Sequence, residues 1–154
     1  GAEYGPAKQW PSEHFAEVAR NQLDHGRQVM ILGSAKDQSV AADICQMAPG
    51  CKDLTGITTL GDAIDLMSLA THVVTNDSGL MHIGAAVGCH VVAIYGSSSD
   101  TFTPPLTKTA DRLGLELPCR PCFQRNCPLG HLDCLVKLDA ARVTEIIERP
   151  DSAA

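Results

Sequence analysis

Aromatic residues are scarce in this chain of 154 residues: one Trp, two Tyr and three Phe make up 4% of it. Small residues are abundant instead, as in tightly packed α/β proteins. Basic charge is also in short supply. Twelve Lys and Arg against 18 Asp and Glu leave a net charge of −6. That balance excludes a general nucleic-acid or anionic-membrane surface, although not a local positive pocket. No apolar run approaches the length of a membrane span, and no signal peptide is expected. There is no G-x-G-x-x-G, which disfavours an ordinary NAD site, and no G-x-x-x-x-G-K-[ST]. Internal repeats and long linkers are absent as well. The chain opens at Gly1 without Met, in a loop-like Gly/Pro segment, so a fragment or processed product is expected, or a residue left by tag removal.

What is present begins with size: enough residues for one domain with a real core. Seven Cys, an odd number, include Cys45, Cys51 and Cys89 in element-like segments, which fits a reducing compartment better than a disulfide scaffold. Ser12 caps a first helix with Phe15, Val18, Ala19 and Leu23 at helical spacing, ended by Gly26. Residues 28–32 predict a buried strand, 36–47 a weaker helix, 51–54 a short strand and 59–69 a helix. A strand at 72–75, a helix at 78–87 and the strongest strand, 90–95, follow. Residues 112–117 predict a last strand, 119–134 an irregular Cys-rich loop, and 139–148 a final helix. Alternating strands and helices imply parallel βαβ units, hence a Rossmann-like, doubly wound parallel sheet. Ligands on such sheets bind outside the carboxyl ends of the strands. Three polar loops lie at such ends: 33–37, 75–79 and 96–101.

Asn76-Asp77-Ser78-Gly79-Leu80-Met81-His82 joins a strand to a helix start. Free N–H groups and the helix dipole at such a start attract anions. On this helix Leu80, Ile83, Gly84 and Val87 predict the apolar stripe, with Ser78 and His82 opposite. Two readings stand: a phosphate site, or Asp77 as a plain helix cap with His82 on the surface. Asp37 follows a strand end where a carboxylate could accept ribose hydroxyls, or where Ser34 or Asp37 could cap the next helix. Lys8 could reach a phosphate as a flexible point charge, or could be a solvated surface residue. Cys119, Cys122, Cys127 and Cys134 lie within 16 residues, with His131 among them. They could close a structural zinc site, form disulfides on oxidation, or stay reduced; the spacing is not a standard ribbon or finger.

Taken together, Gly1 to Pro11, Gly33 to Asp37, Val74 to His82 and Tyr95 to Ser98 resemble, in order and spacing, the C-terminal half of glycosyltransferase family 9. Phe102-Thr103-Pro104-Pro105-Leu106 and Cys127 to His131 are similar to its heptosyltransferases. The resemblance implies the donor-binding half of a GT-B fold, a single domain over 1–149 with a tail at 150–154. The donor would be ADP-heptose, and the acceptor the lipopolysaccharide inner core, reached through an N-terminal domain absent here. Transfer would invert the anomeric centre without a catalytic metal or other cofactor. The enzyme would be cytoplasmic, peripheral on the inner face of the inner membrane.

By the same resemblance Lys8 lies near the donor phosphates and sugar, and Asp77 near the heptose and diphosphate. The amides of Ser78, Gly79 and Leu80 face the phosphates, with His82 beside them. Asp37 takes the ribose contact, Thr58 borders the adenine, and Tyr4 belongs to the donor-binding set. The family's general base is an aspartate of the N-terminal half. The chain is therefore expected to bind donor nucleotide weakly and not to transfer sugar alone. Another GT-B sugar-nucleotide enzyme, or a non-catalytic nucleotide-binding module, are the alternatives.

Overall fold

Strand β4 (His90–Ile94) organises the molecule because both of its faces are covered. Alternate residues of a strand point to opposite faces. Val92 and Ile94 pack into one cluster with Trp10, Val18, Leu113, Leu135, Leu138 and Val143. Val91 and Ala93, with Tyr95 just beyond, pack into another with Met81 and Ala85. The near-continuous apolar run from Val91 to Tyr95 is the pattern expected of a parallel strand buried on both sides.

The computed structural model describes residues 4–150. The first three residues of the family-like segment and the tail from 151 lie outside the described residues. Helix α1 (Ser12–Asp24) and α6 (Ala140–Ile147) cover one face of β4, and α4 (Gly79–Ala86) covers the other. Strand β3 (His72–Asn76) pairs in parallel with β4, from His72↔His90 to Asn76↔Ile94. Strand β5 (Ala110–Leu113) pairs in parallel on the other side, from Val91↔Ala110 to Ile94↔Leu113. A second, two-stranded parallel sheet joins β1 (Met30–Ile31) to β2 (Lys52–Asp53). Helix α2 (Gln38–Met47) packs on α1 through Ala16, Ala19, Ile44 and Ala48. Helix α3 (Leu60–Ser68) is started by a reciprocal cap between Thr59 and Asp62. A four-residue helix α5 (Asp133–Val136) follows the Cys-rich loop. No helix among the described residues is long and apolar enough to cross a membrane.

The α/β architecture with parallel strands is as expected, with three local shifts. Strand β5 ends at Leu113, not at 117, because the Arg120 guanidinium takes the Leu115 carbonyl at 3.2 Å and the Gly96 carbonyl at 2.8 Å. The buried stripe of α4 is Met81, Gly84 and Ala85, one position round from the predicted stripe; Ile83 and Val87 are half-buried. The hydrogen-bonded pairing also forms two sheets, one of two strands and one of three, since β1 and β2 contribute only two residues each.

Gly96 sits at the crossing of three segments. A Cβ there would land on the Ala7 carbonyl oxygen and within 2.9 Å of the Leu135 side chain. At Gly79 a Cβ would meet nothing within 4 Å. Gly96→Ala is therefore expected to lower stability by about 1–3 kcal/mol, as overpacking does. Gly79→Ala should stay within about 0.5 kcal/mol of the parent. Urea unfolding of the two variants beside the parent chain checks both values.

Candidate functional site

The carboxyl ends of β3 and β4 lie side by side, locked by their register and by the Asp77 amide donating to the Ile94 carbonyl at 3.0 Å. Two of the three polar loops, 75–79 and 96–101, thus emerge at one edge. Across them runs the segment before α1. A short 3-10 turn at Pro6–Lys8 opens it. The Ser97 amide donates to the Ala7 carbonyl at 2.9 Å, and the Ala7 amide to the Arg125 carbonyl at 3.0 Å. Trp10, the lone tryptophan, is 2% exposed and anchors the segment. Its amide donates to Asn76 Oδ1 at 3.0 Å and its indole N–H to the Leu138 carbonyl at 2.9 Å.

That anchoring brings Lys8 Nζ to Asp77 Oδ2 at 2.6 Å. Asp77 is nearly buried and Lys8 is partly so, which leaves the ammonium one open side. The plain-cap reading of Asp77 does not hold. Ser78 occupies the N-cap with an extended backbone, and no side chain caps α4. Ser78 Oγ is instead paired with Thr75 Oγ1 at 3.3 Å. The first amides of a helix have no partner within it, and this holds for those of Ser78, Gly79 and Leu80 at the start of α4. The open space over Gly79 lets a ligand approach. His82 is exposed on the far side of the buried stripe, one turn along from Ser78.

A cavity of about 250 Å³ lies against this pair; Tyr4, Lys8, Asp77, Ser98 and Thr103 line it along with two phenylalanines, Phe102 and Phe123. The Tyr4 ring meets two cations, Lys8 Nζ at 4.8 Å and the Arg125 guanidinium at 5.2 Å from its centroid. Its hydroxyl donates to the Phe123 carbonyl at 2.6 Å. Beneath the site Tyr95 is buried and donates to the Thr103 carbonyl at 2.8 Å. Burial first, then the Asp77 and Asp100 carboxylates, push that phenol far above its ordinary range, so it stays neutral.

Asp37 and Thr58 stand at the other sheet. Asp37 Oδ2 accepts from the Ser34 amide at 2.8 Å and the Ser34 hydroxyl at 2.9 Å, which makes it part of a helix cap. Thr58 donates to the Leu54 carbonyl at 3.2 Å. The two loops meet where the Gly56 amide donates to the Gly33 carbonyl at 3.0 Å and Gln38 Nε2 to the Thr55 carbonyl at 3.3 Å. The predicted site residues thus fall into two groups: Tyr4, Lys8, Asp77 and Ser78–Leu80 at β3 and β4, Asp37 and Thr58 at β1 and β2. Sequence reasoning missed the anchors Trp10 and Asn76 and the cavity residues Ser98 and Phe123. A lone Trp in a Gly/Pro segment was the available signal for the first; nothing local marks Phe123.

Cys119, Cys122, Cys127 and Cys134 line a separate small cavity of about 20 Å³, together with Arg120 and His131. All seven cysteines are free thiols. Among the described residues no group of three or more His, Cys, Asp or Glu is arranged to hold a metal ion, so the geometry gives the zinc reading no support. Burial foremost, then the neighbouring thiols Cys122 and Cys127, pushes the Cys134 thiol up. Backbone amides do the opposite at Cys127, that of Leu132 above all.

Comparison with known proteins bears on the family and the fold. The family model described as Glycosyltransferase family 9 (heptosyltransferase) matches residues 1–133. Lipopolysaccharide heptosyltransferase 2 of Escherichia coli K12 is 39% identical over 94% of this chain and 43% of its own length. The solved structure of E. coli ADP-heptose lps heptosyltransferase II superposes with a TM-score of 0.82 at 39% identity, over 96% of this chain and 43% of that one. E. coli heptosyltransferase WaaC with ADP-2-deoxy-2-fluoro heptose shares the fold, with a TM-score of 0.67 at 22% identity over 92% and 39%. The chain thus spans about two fifths of the length of the relatives it matches.

The thiols differ enough to be told apart chemically. A lowered pKa gives Cys127 more thiolate near pH 8 than Cys134, whose pKa is raised. Iodoacetamide at that pH should label Cys127 well before Cys134 and buried Cys89, as read by peptide mass spectrometry over time.

Proposed function

The chain belongs to glycosyltransferase family 9, and we propose that it is the part of an inverting heptosyltransferase that holds the ADP-heptose donor. The observation that carries this reading is the uncapped start of α4 beside the Lys8–Asp77 pair. Three amides, a helix dipole and an ammonium converge on one edge of the sheet. A diphosphate is the group that such an arrangement recognises.

In the transfer step an acceptor hydroxyl oxygen bonds to the anomeric carbon of the heptose. The bond from that carbon to the β-phosphate oxygen breaks, and ADP leaves with the electron pair. The acceptor proton goes to a base in the part of such enzymes that this chain does not span. Negative charge on the β-phosphate grows as the bond breaks. Lys8 and the Ser78–Leu80 amides stabilise that charge more in the transition state than in the ground state. Asp77 holds the ammonium in place, and its own amide, bonded to Ile94, fixes the loop. His82 borders the phosphates from the exposed face of α4. Asp37, Thr58 and the loops at β1 and β2 take the adenosine end, and Tyr4 stays by the sugar end.

The name of the E. coli relative, lipopolysaccharide heptosyltransferase 2, extends this reading to lipopolysaccharide as the acceptor; the inner core and a cytoplasmic place beside the inner membrane are what the family resemblance adds to the proposal. The 39% identity to the solved E. coli ADP-heptose lps heptosyltransferase II supports the same donor.

Titration of the isotope-labelled chain with ADP should shift the amide signals of residues 76–82. Lys8→Ala should weaken ADP more than tenfold, about 1.4 kcal/mol. Adenosine, which lacks the diphosphate, should bind the variant and the parent alike. An absence of shifts in 76–82, or equal losses for ADP and adenosine, would count against the diphosphate site.

A further inference from the structure

The 250 Å³ cavity has two unlike walls. One is polar: Lys8, Asp77 and Ser98, whose Oγ is buried and has no hydrogen-bond partner. The other is aromatic. Phe102 and Phe123 meet edge to face, 5.6 Å between centroids at 73°, and remain 79% and 46% exposed. In a chain with so few aromatic residues, two side by side in water at a cavity mouth call for an occupant.

Phe123 adds a second, independent observation. Its φ is +54°, a left-handed backbone that is uncommon for a bulky side chain. It is held there from both sides: its amide donates to the Ser97 carbonyl at 2.8 Å, and its carbonyl accepts from the Tyr4 hydroxyl at 2.6 Å. Such conformations persist where the surroundings over-determine them, and they cluster at ligand sites. Here the result is a ring set beside Phe102 on the cavity wall.

An occupant that matches both walls has an apolar face and a rim of hydroxyls. A pyranose ring is built that way, with C–H groups on its faces and hydroxyls around its edge. We propose that Phe102 and Phe123 form the platform on which the pyranose of the sugar donor rests, with Ser98 Oγ hydrogen-bonding one of its hydroxyls. The proposal rests on the donor reading above, because Lys8 and Asp77 put the diphosphate end of the donor at the same cavity.

The test is calorimetry of this chain with ADP and, separately, with ADP-heptose. Three variants are compared with the parent: Phe102→Ala, Phe123→Gly and Ser98→Ala. Phe102 is exposed, and glycine relieves the left-handed backbone at position 123, so neither variant should disturb folding. The parent should bind ADP-heptose more tightly than ADP. The two Phe variants should each reduce that sugar-dependent gain at least fivefold while the Kd for ADP stays within twofold. Ser98→Ala should reduce it less, in the same direction. Equal losses for ADP and ADP-heptose would make the rings a seat for the base, and no loss would make them bystanders; either overturns the platform. A parent chain that binds ADP but gains nothing from the heptose also overturns it, and leaves the nucleotide reading intact. A parent chain that binds neither overturns the nucleotide reading itself.

Discussion

The contact between Lys8 and Asp77 joins groups 69 positions apart in sequence, and the geometry of the site hangs on it. The ammonium stands where it does because Trp10 is buried, because Asn76 receives the Trp10 amide, and because Ser97 and Arg125 hold Ala7 by its two backbone groups. Asp77 gives its Oδ2 to Lys8, while Ser78 holds the N-cap of α4 without a side-chain cap bond. A fixed cation and an uncapped helix start therefore stand side by side.

The chain as a whole is acidic, which makes this local arrangement more telling. With a net charge of −6, a diphosphate gains nothing from the overall field. On the proposed donor-binding role, short-range, oriented donors do the recognition, and these act within the first turn of the helix and over one hydrogen-bond length. Tyr4 reinforces the arrangement through the contacts of its ring with Lys8 and Arg125. Tyr95 below contributes shape and no charge, since burial and the nearby carboxylates keep its phenol protonated.

The order of elements was legible because each depends on local pattern: the helical spacing of Phe15, Val18 and Ala19, the Thr59 cap, the apolar run 91–95. The paired loops at the ends of β3 and β4 were legible too, since parallel strands put their carboxyl ends on one edge. What could not be read depends on contacts distant in sequence. The end of β5 is set by Arg120 taking the Leu115 carbonyl, not by the apolar pattern through Leu117. Asp77 and Asp37 sit in similar strand-end loops, yet Asp37 joins a cap with Ser34 while Asp77 pairs with Lys8. The ring of Phe123 reaches the cavity through a left-handed backbone fixed by Tyr4 and Ser97, which no window around residue 123 contains.

A crystal structure of this chain bound to ADP tests the central claim most directly. The account predicts a β-phosphate oxygen at about 2.7–3.2 Å, hydrogen-bond length, from the Gly79 or Leu80 amide, with Lys8 Nζ bridging that phosphate and Asp77. A diphosphate bound elsewhere on the sheet edge, with the 78–80 amides and the open side of Lys8 facing only solvent, would contradict it.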